Sequence, residues 1–299
     1  MTDRRTLLDP WAVCAVVGCC VLWGLNQVAI KWAIPQVPPL WQATARSVGG
    51  AALVYGWSRL RGVRLFDHDA TLAGGLLAGS LFAAEFLCIF LGLQYTTASR
   101  MVVFIYISPF VVALGMPYIA RAERLSAAQV GGLLVAFGGV TWAFAEGFSH
   151  PAAGAHQWWG DALGVAAGLL WGMTTLAIRG TRLSTAAAEK TLLYQLAVSG
   201  VLLAGAAGVQ GTAWPRELSA LTWGSLAFQV IVVSAISYLV WFWLVRRYAA
   251  TRLASFTLLT PVFGLLMGAL LLSEPITPRL VAALAAVCGG IVVVNRPAR

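Results

Sequence analysis

The sequence predicts an all-α membrane protein with ten transmembrane helices, arranged as two inverted five-helix repeats. Three observations lead to this prediction. Of the 299 residues, 60% are hydrophobic and only 10% are charged, whereas a soluble domain carries about 25% charged residues. Apolar runs of about 20 residues, enough for a helix to cross a bilayer, recur along the chain, and they are too long and uniform for barrel strands. A motif of the first half also returns in the second half.

The predicted spans follow one another with short polar connections. They cover residues 10–32, 38–59, 71–93, 98–118, 126–146, 157–179, 186–209, 219–245, 250–272 and 277–295. Prolines at 35, 38 and 39 make the first turn, and Ser126 opens the fifth span with the S-x-x-Q spacing of a capping box. The longest polar break, residues 147–157, separates the two predicted repeats at 10–146 and 157–295.

The repeated motif closes the first and sixth spans. Its first copy runs from Trp23 to Lys31, and its second copy, 148 positions later, runs from Trp171 to Arg179. Both read W-G-x-x-x-x-A-I-[KR]. The final cation of each copy either neutralises the C-terminus of its own helix or takes part in substrate access.

A second pair of matching residues aligns the first half of the chain with the second. Pro109 in the fourth span matches Pro261 in the ninth at an offset of 152. Each proline is followed 13 or 14 residues later by an acid, Glu123 or Glu274. Because each repeat has five spans, an odd number, the second repeat enters the membrane from the opposite side. Inverted repeats of this kind are typical of alternating-access transporters, whose site lies at mid-depth between the repeats.

The net charge of +9 orients the chain rather than indicating nucleic acid. If the N-terminus is cytoplasmic, 15 of the 20 basic residues lie at inner ends and loops. The others are Lys31, Arg100, Arg216 and Arg279 on the outer side and Arg46 inside a span. This asymmetry follows the positive-inside rule and predicts cytoplasmic termini.

No catalytic residue, cofactor or metal is predicted. The five cysteines fall within apolar spans without C-x-x-C spacing, so we expect them to act as small apolar residues. Dinucleotide-binding, phosphate-loop, H-E-x-x-H and G-x-S-x-G motifs are absent from the sequence. These absences favour a protein that is not an enzyme.

Two charged residues are predicted to lie deep in the membrane. Arg46 is eight residues from the outer end of the second span, and Glu85 is eight residues from the outer end of the third. At 1.5 Å per residue both lie roughly 12 Å below the outer surface, so a salt bridge is expected. The pair either locks the two helices together or faces a cavity, where it binds substrate or carries a proton.

Polar and aromatic residues surround the repeated motif. Four polar residues occupy equivalent places on the first and sixth spans: Asn26, Gln27, Thr174 and Thr175. They either hydrogen-bond a ligand or bond to neighbouring helices. Trp23 and Trp171 lie beside them near mid-depth and are predicted to line a cavity, with Tyr106 and Tyr238 as further candidate site residues.

Helix breakers and small residues complete the predicted architecture. Pro109 and Pro261 each remove a helical hydrogen bond, and their matched positions suggest hinges of a gate in addition to kinks. Four glycines of the sixth span, Gly160, Gly164, Gly168 and Gly172, recur at every fourth residue. They lie on one face and should let a neighbouring helix approach closely.

The duplicated motif resembles the EamA repeats of the drug/metabolite transporter superfamily. So do the Ala98-Ser99…Pro109…Glu123 run and its echo Ala254-Ser255…Pro261…Glu274. The resemblance covers residues 11–295 and is closest to the aromatic amino-acid exporter (YddG-type) branch. It implies ten helices, cytoplasmic termini and a central cavity lined by spans one to four and six to nine. It also implies location in a bacterial inner membrane.

The expected function is export of small metabolites by a secondary transporter, with amino acids carrying aromatic or hydrophobic side chains as substrates. Three other functions remain open: exchange of phosphorylated metabolites or nucleotide-sugar-like solutes, export of multiple drugs, and the role of a channel or structural subunit. Expected partners are the small-molecule substrate and the lipid bilayer, without nucleic acid.

Overall fold

The computed structural model describes residues 9–67, 69–119, 127–149, 153–248, 256–257 and 259–294. The helices are α1 (Pro10–Ala33), α2 (Pro39–Leu60), α3 (Leu72–Gly92), α4 (Ala98–Ile105), α5 (Ser108–Ile119), α6 (Ala127–Ser149), α7 (Gln157–Gly180), α8 (Ala188–Val209), α9 (Ala220–Ala227), α10 (Tyr238–Arg247), α11 (Leu259–Leu272) and α12 (Pro278–Val294). A 3₁₀ turn, Arg182–Thr185, precedes α8, and a π-helix, Phe228–Ser237, joins α9 to α10. The predicted all-α class is confirmed. The motif residues Glu123, Ser126, Ala254 and Ser255 lie outside the described residues.

Several helices have the length and apolar composition that crossing a membrane requires. Within the described ranges there are six: Pro10–Ala33, Leu72–Gly92, Ala98–Ile119, Gln157–Gly180, Ala188–Val209 and Ala220–Trp241. Shorter apolar stretches cover Val130–Ala143, Leu259–Leu272 and Pro278–Gly290. The chain is therefore a multi-pass membrane protein.

The fourth predicted span is broken into α4 and α5 at Tyr106 and Ile107. Pro109 lies in the first turn of α5, where a missing backbone N–H costs little. The predicted break is confirmed, whereas its action as a hinge stays a prediction. Pro261 lies in the first turn of α11, next to residues outside the described range.

The predicted glycine face of α7 packs against the broken span. A Cβ at Gly168 would lie 2.8 Å from the Ile105 carbonyl oxygen, and one at Gly172 would lie 3.0 Å from that of Ser108. A Cβ at Gly160 would lie 2.7 Å from the Gly92 carbonyl oxygen at the end of α3. The close approach that the glycines were predicted to allow is confirmed.

Substitution of Gly168 by alanine is expected to lower the free energy of unfolding by about 1–3 kcal/mol, the usual cost of overpacking. Besides the Ile107 side chain, the obstructing atoms are the carbonyl oxygens of Phe104 and Ile105 at the break, so a side-chain rotation alone cannot relieve the clash. Thermal unfolding in detergent micelles measures the effect. Gly138→Ala is the matched control, because a Cβ there meets nothing within 4 Å. Equal stability of the two variants would contradict this packing.

Polar contacts between helices show which helix ends lie on the same side of the bundle. At one end, Trp41 Nε1 of α2 donates to the Thr212 carbonyl after α8 at 2.8 Å, and Lys31 of α1 donates to the Thr96 carbonyl before α4 at 2.7 Å. At the opposite end, Lys190 Nζ of α8 bonds Asp69 Oδ2 before α3 at 2.9 Å. Hydrogen bonds from Thr71 and Lys190 lower the pKa of Asp69 to about 2. The first set of ends corresponds to the predicted outer side.

Helices of the two predicted repeats intermix. The helix α3 packs against α7 and α8, α2 against α8, α1 against α11, and α6 against α12. Two apolar clusters form the interior, one around Phe82, Phe86 and Phe90 and the other around Phe104 and Phe110. Trp171 packs against both clusters, so it marks the boundary between them.

Candidate functional site

Arg46 is the central residue of the candidate site. It lies in the second turn of α2 and is only 1% exposed. Its guanidinium lies over the Phe86 ring at 3.8 Å, and Nη2 donates to the Tyr238 hydroxyl at 2.9 Å. Aromatic faces attract a cation, and this attraction grows when water is excluded. Its Nε and Nη1 have no hydrogen-bond partner among the residues that the structure describes, so these two donor atoms are available to another group.

Glu85 is buried beside the aromatic surface that Arg46 covers, one residue before Phe86 on α3. The predicted salt bridge is wrong, because Arg46 bonds to Tyr238 instead. Within the described part of the chain, Glu85 Oε2 has no hydrogen-bond partner. Buried ionisable groups with unbonded polar atoms are energetically costly, and such groups cluster at functional sites.

Further aromatic rings lie beside the partners of Arg46. Trp23 donates from Nε1 to Ser237 Oγ at 2.9 Å and meets the Tyr238 ring edge-on at 6.3 Å between centroids. Trp171 meets the Tyr106 ring, in the break of the fourth span, edge-on at 5.7 Å. Trp171 and Tyr238 both pack against the apolar cluster that contains Phe86. The structure thus places six candidates in or beside one cluster: Trp23, Arg46, Glu85, Tyr106, Trp171 and Tyr238.

The other polar candidates divide into two groups. Asn26 and Gln27 are buried one turn after Trp23, and their side-chain carbonyl oxygens have no hydrogen-bond partner in the described ranges. Thr174 and Thr175 instead donate to carbonyls of their own helix, at Leu170 (2.9 Å) and Trp171 (3.1 Å). The two α1 residues therefore retain unmet hydrogen-bonding capacity, whereas the hydroxyl protons of the two threonines are already used.

The π-helix supplies one side of the cluster and was not predicted. Ser234 Oγ donates to the Gln229 carbonyl five residues earlier at 2.9 Å. Gly50 of α2 allows close packing, since a Cβ there would lie 2.9 Å from Ser234 Cβ. Ser237, the last residue of the π-helix, bonds Trp23, and Tyr238, the first residue of α10, bonds Arg46. Segments of π-helix are rare and frequent at functional sites.

Sequence reasoning also missed a buried charge cluster at the predicted outer end. Arg100 forms a fork with Asp161 (Nη2–Oδ2 2.7 Å, Nε–Oδ1 3.0 Å) and bonds Glu146 Oε2 at 3.0 Å. Asp161 also accepts from Thr96 Oγ1 at 2.5 Å, and Glu146 accepts from Thr277 Oγ1 at 2.9 Å. The presence of an acidic residue, Asp161, inside a predicted span was the one feature of the sequence that pointed to this cluster. This cluster ties α4, α6, α7 and α12 together.

Lys31, in the last turn of α1, makes contacts beyond its own helix. Its Nζ bonds the Thr96 carbonyl in the connection between α3 and α4 and lies 3.6 Å from Glu274 Oε1. Both of its predicted roles, at the C-terminus of its own helix and in substrate access, stay predictions.

Known proteins share this sequence and this fold. The model of the EamA-like transporter family matches residues 10–145 and 158–296. The uncharacterized transporter YvbV of Bacillus subtilis is 28% identical over 92% of this chain and 88% of its own length. An uncharacterized transporter of Synechocystis is 27% identical over 86% of this chain and 81% of its own. An uncharacterized Pseudomonas aeruginosa protein is 35% identical, but the match covers 62% of this chain and 61% of that protein.

A crystal structure with 19% sequence identity superimposes with a TM-score of 0.66 and covers 95% of both chains. At that identity the likeness concerns the fold alone. The family match covers almost the whole chain and agrees with its apolar helices and with the transporter names of its relatives. The chain therefore belongs to the EamA-like transporter family of the drug/metabolite transporter superfamily and is a membrane transporter.

Proposed function

We propose that this protein exports amino acids with aromatic or hydrophobic side chains as a secondary transporter. One observation carries the proposal. Among the described residues, Arg46 has two unbonded donor atoms and Glu85 has an unbonded acceptor, and both lie beside a cluster of aromatic rings. A zwitterion presents a carboxylate and an ammonium, which complement those two charges. The rings of Trp23, Tyr106 and Trp171 would contact an apolar side chain.

The same cluster gives each candidate residue a proposed role. Arg46 binds the substrate carboxylate, and Glu85 binds its ammonium group or carries a proton when no substrate is present. Asn26 and Gln27 offer carbonyl oxygens to the ammonium group. Thr174 and Thr175 can only accept while their hydroxyl protons bond their own helix, so they belong to the site as acceptors.

We infer alternating access between two inverted five-helix repeats, residues 10–146 and 157–295. The two separate family matches support the duplication. The helix pairing supports a two-fold relation. If each helix is replaced by its equivalent in the other repeat, the α1–α11 contact becomes the contact of α7 with α4 and α5, which the structure also contains. The α3–α7 contact likewise becomes the contact of α1 with α9 and the π-helix, and the α2–α8 and α6–α12 contacts each map onto themselves. Pro109 and Pro261 would act as hinges beside the site.

The proposed orientation places both termini in the cytoplasm and the protein in a bacterial inner membrane. The basic residues of the chain lie mainly at the ends that this orientation assigns to the inner side. The outer set of ends then includes the charge cluster around Arg100 and the contact of Lys31 with Thr96.

A phosphorylated substrate is less favoured by the charges that the structure describes. Such a ligand carries two or more negative charges and calls for several free cations. The other buried basic residues in the described ranges are already ion-paired: Arg100 with Asp161, and Lys190 with Asp69. Arg46 thus stands as a single cation, which suits one carboxylate.

Counterflow into proteoliposomes tests the proposal. Vesicles loaded with phenylalanine should accumulate labelled phenylalanine in a saturable manner. Two external analogues test the charged groups: 2-phenylethylamine lacks the carboxylate, and 3-phenylpropionate lacks the amine. Each should compete at least about tenfold more weakly than phenylalanine, because losing one charged hydrogen bond lowers the affinity by about that factor. Equal competition by all three compounds would contradict the assigned roles, and leakage without saturable exchange would indicate a channel.

A further inference from the structure

The outer end of the bundle contains a contact that the proposed substrate site does not use. Glu274, in the connection between α11 and α12, reaches the first turn of α4. Its carboxylate accepts from the backbone N–H groups of Ala98 (2.8 Å) and Ser99 (3.0 Å) and from Ser99 Oγ (2.8 Å). A carboxylate is stabilised at a helix N-terminus by free N–H groups and by the helix dipole.

Lys31 extends the contact to a third helix. Its Nζ lies 3.6 Å from Glu274 Oε1 and donates to the Thr96 carbonyl at 2.7 Å. The C-terminus of α1 and the N-terminus of α4 belong to the first repeat, whereas Glu274 belongs to the second. These polar contacts therefore fasten the two repeats at one end, above the substrate cluster. Both side chains are largely shielded, with 23% of Lys31 and 7% of Glu274 exposed.

Below this contact, α11 meets α1 and α4 along a surface of glycines. A Cβ at Gly24 would lie 2.7 Å from the Gly264 nitrogen, and a Cβ at Gly264 would lie 2.6 Å from Val102 Cγ1. A Cβ at Gly268 would collide with Ser99 and Glu274 themselves. These glycines let α11 lie close to α1 and α4, and the polar contacts at its end close that interface.

The sequence of the other repeat carries residue types that match this contact. Arg179 ends the second copy of the repeated motif as Lys31 ends the first, and Glu123 follows Pro109 as Glu274 follows Pro261.

We propose that Glu274 and Lys31 form the outer gate of the transporter. Their contacts with the N-terminus of α4 hold the outer end closed in the state described here. Release of those contacts lets α11 move away from α1 and α4 and opens the substrate cluster to the outside. The inference rests on the proposed alternating access, and it adds two residues to the transport cycle that do not touch the substrate.

Cysteine accessibility from each side of the membrane tests the gate. The background replaces Cys14, Cys19, Cys20, Cys88 and Cys288 with alanine. One reporter, Val102→Cys, lies one turn below Ser99 on α4, and another, Val16→Cys, lies buried near the opposite end of α1. A membrane-impermeant maleimide is applied to the outside of cells for the first reporter and to inside-out vesicles for the second.

Glu274→Gln and Lys31→Met should each raise the labelling rate of Val102→Cys about tenfold, the population shift expected from one lost charged hydrogen bond. Labelling of Val16→Cys should stay constant or fall, because opening one side closes the other. Glu217→Gln is the matched control, an exposed acid outside these contacts on the same predicted side. It should leave both labelling rates unchanged.

Two results would overturn the gate. Unchanged labelling of Val102→Cys in both variants would show that the contacts do not hold the outer end closed. Faster labelling of both reporters would show that the contacts merely stabilise the fold. The labelling assay contains no substrate, so its outcome is separate from the counterflow result: failed amino-acid exchange removes the proposed substrate, whereas failed labelling changes remove the gate.

Discussion

Replacement of Arg100 by methionine should lower the free energy of unfolding by about 3–5 kcal/mol, the cost of breaking a buried ion pair from one side. Arg100 is 3% exposed, and its removal leaves two buried carboxylates, Asp161 and Glu146, without their cation. Methionine has a similar length, so the loss concerns charge more than packing volume. Unfolding by a denaturing detergent, followed by tryptophan fluorescence, measures the change.

The accompanying variants separate charge from packing. Arg100→Met combined with Asp161→Asn and Glu146→Gln carries no unpaired charge, so it should recover much of the lost stability. Arg216→Met removes an exposed cation from the predicted outer side and should change stability by less than about 0.5 kcal/mol. A triple variant no more stable than Arg100→Met would contradict the view that uncompensated charge is the cause.

Arg46→Gln should reduce phenylalanine counterflow at low substrate concentration by about 10- to 100-fold, because the substrate carboxylate loses a charged hydrogen-bond partner. Discrimination between phenylalanine and 2-phenylethylamine should shrink by a similar factor, since the analogue never used that partner. A merely structural role would lower transport of every compound equally and leave the ratio between the two compounds unchanged.

Arg46→Lys provides the conservative comparison. Lysine keeps the positive charge, so it should retain part of the preference for the carboxylate, although it lacks the planar guanidinium that stacks on Phe86. Arg216→Gln, an exposed residue of the predicted outer side, should transport at the wild-type rate. Undiminished discrimination in Arg46→Gln would remove Arg46 from substrate binding.

Periodic and repeated features of the sequence predicted much of the fold. Apolar run length gave the helices of the first, third, sixth and seventh spans to within about two residues. The four-residue glycine spacing identified the face of α7 that meets the broken fourth span, because helix geometry places such residues on one side. Pro109 indicated the break, since proline cannot continue the hydrogen-bond pattern of the preceding turn.

The partners of the charged residues could not be predicted in the same way. Matched depth paired Arg46 with Glu85, yet depth leaves the rotation of each helix undetermined, and Arg46 turned to Tyr238 and Phe86. Arg100 bonds residues that lie 43 to 61 positions further along the chain, on other helices. The π-helix has about one extra residue per turn and packs against Gly49 and Gly50 of α2. Nothing in the composition of residues 228–237 predicted it.

The sequence alone indicates that this chain crosses a membrane as helices and that one motif occurs in both halves. It also indicates where prolines break a helix and where glycines let a neighbouring helix approach closely. Those properties depend on local hydrophobicity and backbone geometry, which each segment carries within itself. Only the tertiary structure decided which polar groups share a cluster and which are left unbonded, because those outcomes depend on how helices far apart in the chain rotate and pack against one another. Two buried arginines show the difference: Arg100 is paired with two carboxylates, whereas Arg46 retains two donor atoms without a partner among the described residues.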